Sequence, residues 1–201
     1  MWKRILLYTV LGVTVLLGGG LAYLYLRRPA QVPAADIKVA ATPERLARGK
    51  YLYENLCNCG GCHSLRDFTR FGGPEVVSGR GQGSVFPPEF GLPGEVAASN
   101  ITPDRETGIG AWSDGEKIRA IRDGVDREGR TLFPLMPYRF YRYMSDEDVQ
   151  SLVAYLNALP PLRHSQPKTR IQFPVNLFIK SAPKPAGQVA PPDLGDRVKY
   201  G

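Results

Sequence analysis

The stretch "CNCGGCH", residues 57–63, gathers all three cysteines of the chain and one of its two histidines. Thiolates and imidazole together serve zinc, dithiol redox chemistry, a disulfide or the covalent attachment of a haem. Zinc could take Cys57, Cys59, Cys62 and His63. Structural zinc sites, however, draw their ligand pairs from separated segments, and four ligands this close in sequence rarely close a tetrahedron. A redox C-x-x-C belongs in a βαβ context, and no such pattern surrounds this one. The run Cys59-x-x-Cys62-His63 has the spacing of c-type haem attachment. Two intervening residues let both sulfurs reach one edge of a macrocycle, and the adjacent histidine swings beneath its iron as axial ligand. Gly60 and Gly61 are expected to leave room for that tight turn. Cys57 is left over and reads as a small buried residue at a helix end; pairing of Cys57 with Cys62 is the weaker alternative.

An iron used for electron transfer needs a ligand on its second face. The candidates are Met136, Met144 and His164. Met136 lies in "LFPLMPYRF" between Pro134 and Pro137, which stiffen the loop and fix the approach of a thioether. Met144 precedes a helix cap and has a packing role open to it against Val149. His164 sits in a polar loop. Met136 is the favoured ligand, and a methionine there raises the haem potential relative to two histidines.

The elements that must hold these groups are few. "TPERLARGKYLYENL" begins a helix with Thr42 as N-cap and Pro43 at its first position. Leu46, Gly49, Tyr53 and Leu56 fall on one face of it, and Gly49 on that face predicts close approach by another element. Residues 64–111, rich in Gly and Pro, read as an ordered irregular loop without a sheet. Ser113 and Glu116 form a capping box for a short helix that Gly124 stops. "SDEDVQSLVAYLNALPP" is the strongest helix. Ser145 caps it, acids follow in its first turn, Val149, Leu152, Val153, Leu156 and Leu159 share a face, and Pro160–Pro161 end it. The fold class expected is mainly α: a haem domain of a few helices and long loops, preceded by one transmembrane helix. A haem would supply the apolar centre that so few helices lack.

Ile5 to Leu26 is an uncharged apolar run, long enough as a helix to cross about 30 Å of hydrocarbon. It exceeds the apolar core of a signal peptide and no convincing cleavage site follows closely, so an uncleaved signal anchor is expected. The domain division expected is an anchor over 1–28, a linker over 29–41, the haem domain over 42–164 and a Pro-rich tail over 165–201. The net charge is +7, mixed in sign along the chain and without a basic stripe, which excludes a nucleic-acid footprint. Acidic protein partners or an anionic lipid surface suit it better.

With these residues in hand, the chain resembles the class I cytochrome c family, and more narrowly the membrane-anchored bacterial cytochromes c similar to the cytochrome subunits of periplasmic alcohol and sugar dehydrogenases. "RGKYLYE", "CGGCHS", "NITPDRETGIGAWSDGE", "IRDGVDREGR", "LFPLMPY" and "MSDEDVQSLVAYLNALPP" carry the resemblance in one order, from about residue 42 to 162. It implies one haem c bound covalently through Cys59 and Cys62, iron ligated by His63 and Met136, and first and last helices that cross at Gly49. Cys57 departs from the pattern. The tail "PPDLGDRVKYG", through Arg197, Tyr200 and Gly201, loosely echoes the lead-in to another such domain. The function implied is single-electron transfer in a bacterial respiratory chain, without bond-making on a substrate. The alternative is an electron-accepting subunit of a periplasmic dehydrogenase complex; a peroxidase-like or sensing haem protein would need an open iron position. Redox partners would be a dehydrogenase, an oxidase or another cytochrome. The haem domain is expected on the periplasmic side of the cytoplasmic membrane, with lipid around the anchor.

Overall fold

The computed structural model describes residues 1–193 and 195–196. The chain is mainly helical. It opens with α1 (Trp2–Leu26), whose side chains are not buried against the rest of the protein and which holds an 18-residue window of mean hydropathy 2.1. Residues 27–42 form no helix or strand, yet they do not hang free. The Val39 amide donates to Asp114 Oδ2 at 2.8 Å, Val39 is buried, and a Cβ on Gly115 would stand 1.9 Å from the Ala35 carbonyl oxygen. The stretch read as a linker is thus laid against the protein.

Helix α2 (Pro43–Tyr51) starts as expected. Thr42 Oγ1 accepts from the Arg45 amide at 3.3 Å, and Pro43 needs no donor partner at the first position. It then passes into one π-turn over Leu52–Leu56, closed by the Cys57 amide donating to the Leu52 carbonyl at 2.8 Å. The inserted residue shifts the helical phase. Leu52 and Tyr53 are buried while Leu56 is 66% exposed, so the sequence's regular face fails at its last member. Next comes the short α3 (Cys59–His63), entered through Asn58 at φ 46°. Asparagine tolerates this left-handed conformation better than most residues.

The irregular stretch that follows carries β1 (Ser84–Val85), β2 (Gly94–Glu95) and β3 (Ala97–Ala98). These strands correct the expectation of a region without sheet, although each ladder is minimal. β1 pairs antiparallel with β3, with Ser84 opposite Ala98. β2 pairs antiparallel with β4 (Arg170–Ile171), which lies in the Pro-rich tail. Two-residue strands leave no alternating pattern to read. Between them in sequence stand α4 (Asp114–Asp123), α5 (Tyr138–Tyr141) and α6 (Asp146–Ala158); α7 (Val175–Phe178) follows β4. The Ser113 capping box closes in both directions, at 3.1 and 2.8 Å, and Gly124 ends α4 at φ 77°. Ser145 Oγ accepts from the Asp148 amide at 3.1 Å. The tail residues Arg197, Tyr200 and Gly201, where the echo of a second domain falls, lie outside the described residues.

The core forms where α2 crosses α6. Val149, Leu152, Val153, Leu156 and Leu159 are all buried there with Leu52, Tyr53 and Cys57. A Cβ on Gly49 would lie 2.0 Å from the Ser151 carbonyl oxygen, so only glycine permits this crossing. Arg45 grips Glu147 at 2.8 Å and Arg48 grips Asp148 at 2.7 Å, both bidentate, on the solvent side of the same contact. Tyr53 also meets Tyr155 edge to face.

Candidate haem-binding site

α3 sets its cysteines and histidine on a single turn. Gly60 and Gly61 are helical there, so conformational freedom is not what they supply. They supply space: a Cβ on Gly60 would stand 2.6 Å from Glu75 Oε1, and one on Gly61 2.7 Å from Asn58 Nδ2. Ser64 follows, buried, with its hydroxyl accepting from the Gly81 amide at 2.9 Å and lying 3.2 Å from the Tyr53 hydroxyl. Glu75 joins the same group and forms an ion pair with Arg80 at 2.8 Å. This polar cluster ties the end of α3 to the loop behind it. Ser84 adds a further tie, its hydroxyl donating to the Cys62 carbonyl at 2.6 Å.

Two adjoining cavities lie against α3. The outer one, of about 300 Å³, is lined by Cys59, Cys62 and His63 on one side and Leu132, Phe133 and Met136 on the other. The inner one, of about 110 Å³, continues beneath Cys59, His63 and Met136 to Ile121, Leu152 and Trp112. Their walls are mostly apolar, and space of this size is typical of a buried small-molecule or cofactor site. Both the histidine and the methionine therefore border both cavities, although they are far apart in sequence.

His63 is oriented. Its Nδ1 lies 2.7 Å from the Ser99 carbonyl oxygen. A carbonyl only accepts, so Nδ1 carries the proton and Nε2 keeps its lone pair, the usual arrangement for a metal-binding imidazole. Burial lowers the pKa of His63, which favours the neutral ring. Burial also raises the pKa of Cys59 and of Cys62. Cys57 is buried in the core, its thiol pushed up to about 11 by burial. Its carbonyl accepts from the Tyr141 hydroxyl at 2.8 Å.

The alternatives separate on geometry. Among the described residues no three or more of His, Cys, Asp or Glu are grouped to hold a metal ion, and the three cysteines are all free. Met144 lies away from both cavities, in a surface depression with Leu56, Phe140 and Asp148. His164 is exposed and borders neither cavity; its amide donates to Thr107 Oγ1 at 3.0 Å. The structure thus brings Cys59, Cys62, His63 and Met136 to one space, which Cys57 also borders, and leaves Met144 and His164 outside it. The residue pattern alone did not disclose Ser99, whose contribution is a main-chain carbonyl and carries no side-chain signature. Asn100 gave no signal of its own within the motif that contains it. It is buried, accepts from the Thr102 amide at 2.9 Å and donates to the Leu162 carbonyl at 2.7 Å. It thereby joins the loop that bears Ser99 to the chain beyond α6.

A small helical protein with paired cysteines, a tautomer-fixed histidine and a methionine around an apolar cavity is built like an electron-transfer cytochrome. Comparison with known proteins agrees. The chain is 38% identical over 119 residues to a subunit of nicotinate dehydrogenase from Pseudomonas putida, a match covering 59% of this chain and 9% of that protein. It is 34% identical over 131 residues to the gluconate 2-dehydrogenase cytochrome c subunit of Pantoea cypripedii, covering 65% and 27%. It is 31% identical over 147 residues to the fructose dehydrogenase cytochrome subunit of Gluconobacter japonicus, covering 72% and 28%. The matches span between 9% and 53% of the length of the curated relatives. No family model matches the chain. The likeness read from its motifs is thereby shown: this protein is a homologue of the cytochrome c subunits of bacterial dehydrogenases.

Proposed function

We propose that this chain is a membrane-anchored electron carrier holding one haem c, which receives electrons from a dehydrogenase-type partner outside the cytoplasmic membrane. The observation that carries the reading is the convergence of Cys59, Cys62, His63 and Met136 on one apolar space, with His63 Nδ1 already committed to the Ser99 carbonyl. When bound, a haem supplies an iron that takes up and returns one electron. The residues present fit it. Cys59 and Cys62 would hold it as thioethers, and His63 Nε2 and the Met136 sulfur would ligate its iron. Leu132, Ile121 and Leu152 exclude water from the inner cavity, which lowers the dielectric around the site. Ser99 fixes the imidazole plane. The chain carries a single C-x-x-C-H, which supports one haem per chain.

Names of relatives that are dehydrogenase subunits support a dehydrogenase as electron donor and a role without substrate chemistry for this chain. α1 supports the membrane anchor by length and hydropathy.

The test is a thiol count. The holoprotein denatured in guanidinium should retain its haem and expose one alkylatable thiol, Cys57. Three alkylatable thiols, or loss of the haem on denaturation, would overturn the covalent attachment. Covalent haem lost on Cys57→Ala alone would show that the wrong pair of cysteines had been chosen.

A further inference from the structure

The segment 173–180, "FPVNLFIK", lies beside the exit of α1. Lys180 Nζ donates to the Tyr25 carbonyl at 2.6 Å and stands 5.7 Å from the centre of the Tyr25 ring. Arg27 reaches back to the Leu177 carbonyl at 3.4 Å. Within α7, Leu177 is 3% exposed and faces the protein, while Phe178 is 56% exposed and Phe173, just before the helix, is 69% exposed. Two phenylalanines therefore point away from the core at the point where the apolar helix ends. Along the sequence the charge on either side has one sign, while Glu95 stands opposite Arg170 across the β2–β4 ladder. From Val149 to Pro192 the sequence contains no Asp or Glu, but it contains Arg163, Lys168, Arg170, Lys180 and Lys184. Arg27 and Arg28 add to them at the end of α1.

A helix of the length of α1 measures about 37 Å, more than the roughly 30 Å of a hydrocarbon core. If α1 spans, its Tyr25–Arg28 end stands among the headgroups, and a segment bonded to Tyr25 and Arg27 stands there too. Aromatic side chains and cations are what that depth favours.

We infer that Phe173, Phe178 and Lys180 form a second contact with the membrane, seated in the anionic headgroup layer beside α1, which holds the haem domain in one orientation over the bilayer. The inference rests on the anchored reading of α1. The contacts of Ala35 and Val39 with α4 fit it, because they stiffen the path between anchor and domain.

The experiment uses the full-length holoprotein in nanodiscs of phosphatidylethanolamine and phosphatidylglycerol doped with a diazirine-bearing phospholipid, with adducts mapped by mass spectrometry. Adducts are expected on α1 and also on residues 173–180. Phe173→Ser with Phe178→Ser should lower the second set by about tenfold, the loss expected for removing two partly buried aromatic anchors, and leave the α1 set unchanged. Both positions are exposed, so the fold should tolerate the change; an unaltered haem spectrum verifies it. Adducts on α1 with none on 173–180 would overturn the inference while leaving the anchor intact. Absence of adducts on both would remove the anchor itself. Cross-links from 173–180 to a second copy of the chain in place of lipid would show a protein interface there and would equally overturn it.

Discussion

His63 and Met136 meet across one cavity, and each owes its place to something small. The histidine is turned by a single backbone carbonyl, that of Ser99. The methionine is held in a loop where its own amide donates to the Phe133 carbonyl at 3.1 Å and the Tyr138 amide donates back to the Met136 carbonyl at 2.9 Å. Met144, a few residues on, is half-buried against the same core but faces another depression. The two methionines should therefore separate in an experiment. Met136→Ala should retain covalent haem, turn the iron from low to high spin and lower the reduction potential, since a thioether ligand raises it. Met144→Ala should leave spectrum and potential unchanged and cost on the order of 1–2 kcal/mol of stability, as expected for a partly buried methionine. Electron paramagnetic resonance and potentiometry on both variants check this. A spin change in the Met144 variant alone would reverse the assignment.

At the scale of elements, what could be read from residue types was what side chains themselves encode. The caps at Thr42, Ser113 and Ser145 were legible because a hydroxyl or a capping box marks them. The apolar face of α6 was legible because its period is unbroken. The π-turn after α2 was not, because a single inserted residue leaves no compositional mark and shows only when Leu56 turns outward and Leu52 inward. The two-residue ladders escaped for a similar reason: they are joined by main-chain pairing across long sequence distances. Gly49 was legible as an anomaly, a glycine on an apolar face, and the crossing of α2 and α6 accounts for it. Gly49→Ala should be far more damaging than helix propensity would suggest. Propensity alone favours alanine by about 1 kcal/mol, whereas a methyl group 2.0 Å from the Ser151 carbonyl oxygen must push the helices apart. A net loss of about 3 kcal/mol is expected, at the upper end of overpacking costs. Ser113→Ala, which removes only a cap, should cost about 1 kcal/mol. Denaturant titration of both variants gives the comparison, and a Gly49→Ala protein as stable as the parent would mean that the helices do not cross this closely.

At the scale of the molecule, the fold is a small helical core wrapped by long loops, and its centre is a cavity walled by residues from α3, the 132–136 loop and α6. The C-x-x-C-H run stands out in the sequence because the covalent attachment proposed for it demands a fixed spacing. The orientation across the membrane was not, because Lys3 and Arg4 stand before the apolar run and Arg27 and Arg28 after it. Flanking charge of the same sign at both ends leaves the positive-inside rule without a preference. The chemistry of the site supplies one. On the proposed reading, thiols destined for thioether bonds would meet haem where c-type maturation is expected, outside the cytoplasmic membrane, and a single span would then put residue 1 inside and the domain outside. Protease added to spheroplasts should digest the domain and leave a short anchored fragment containing α1. Protection in intact spheroplasts, with digestion only after lysis, would overturn that orientation. Release of an intact haem domain by osmotic shock would instead show that α1 is removed in the mature protein. The segment at 173–180 would then be left as the chain's remaining apolar contact with the bilayer, too small on its own to keep the domain at the surface.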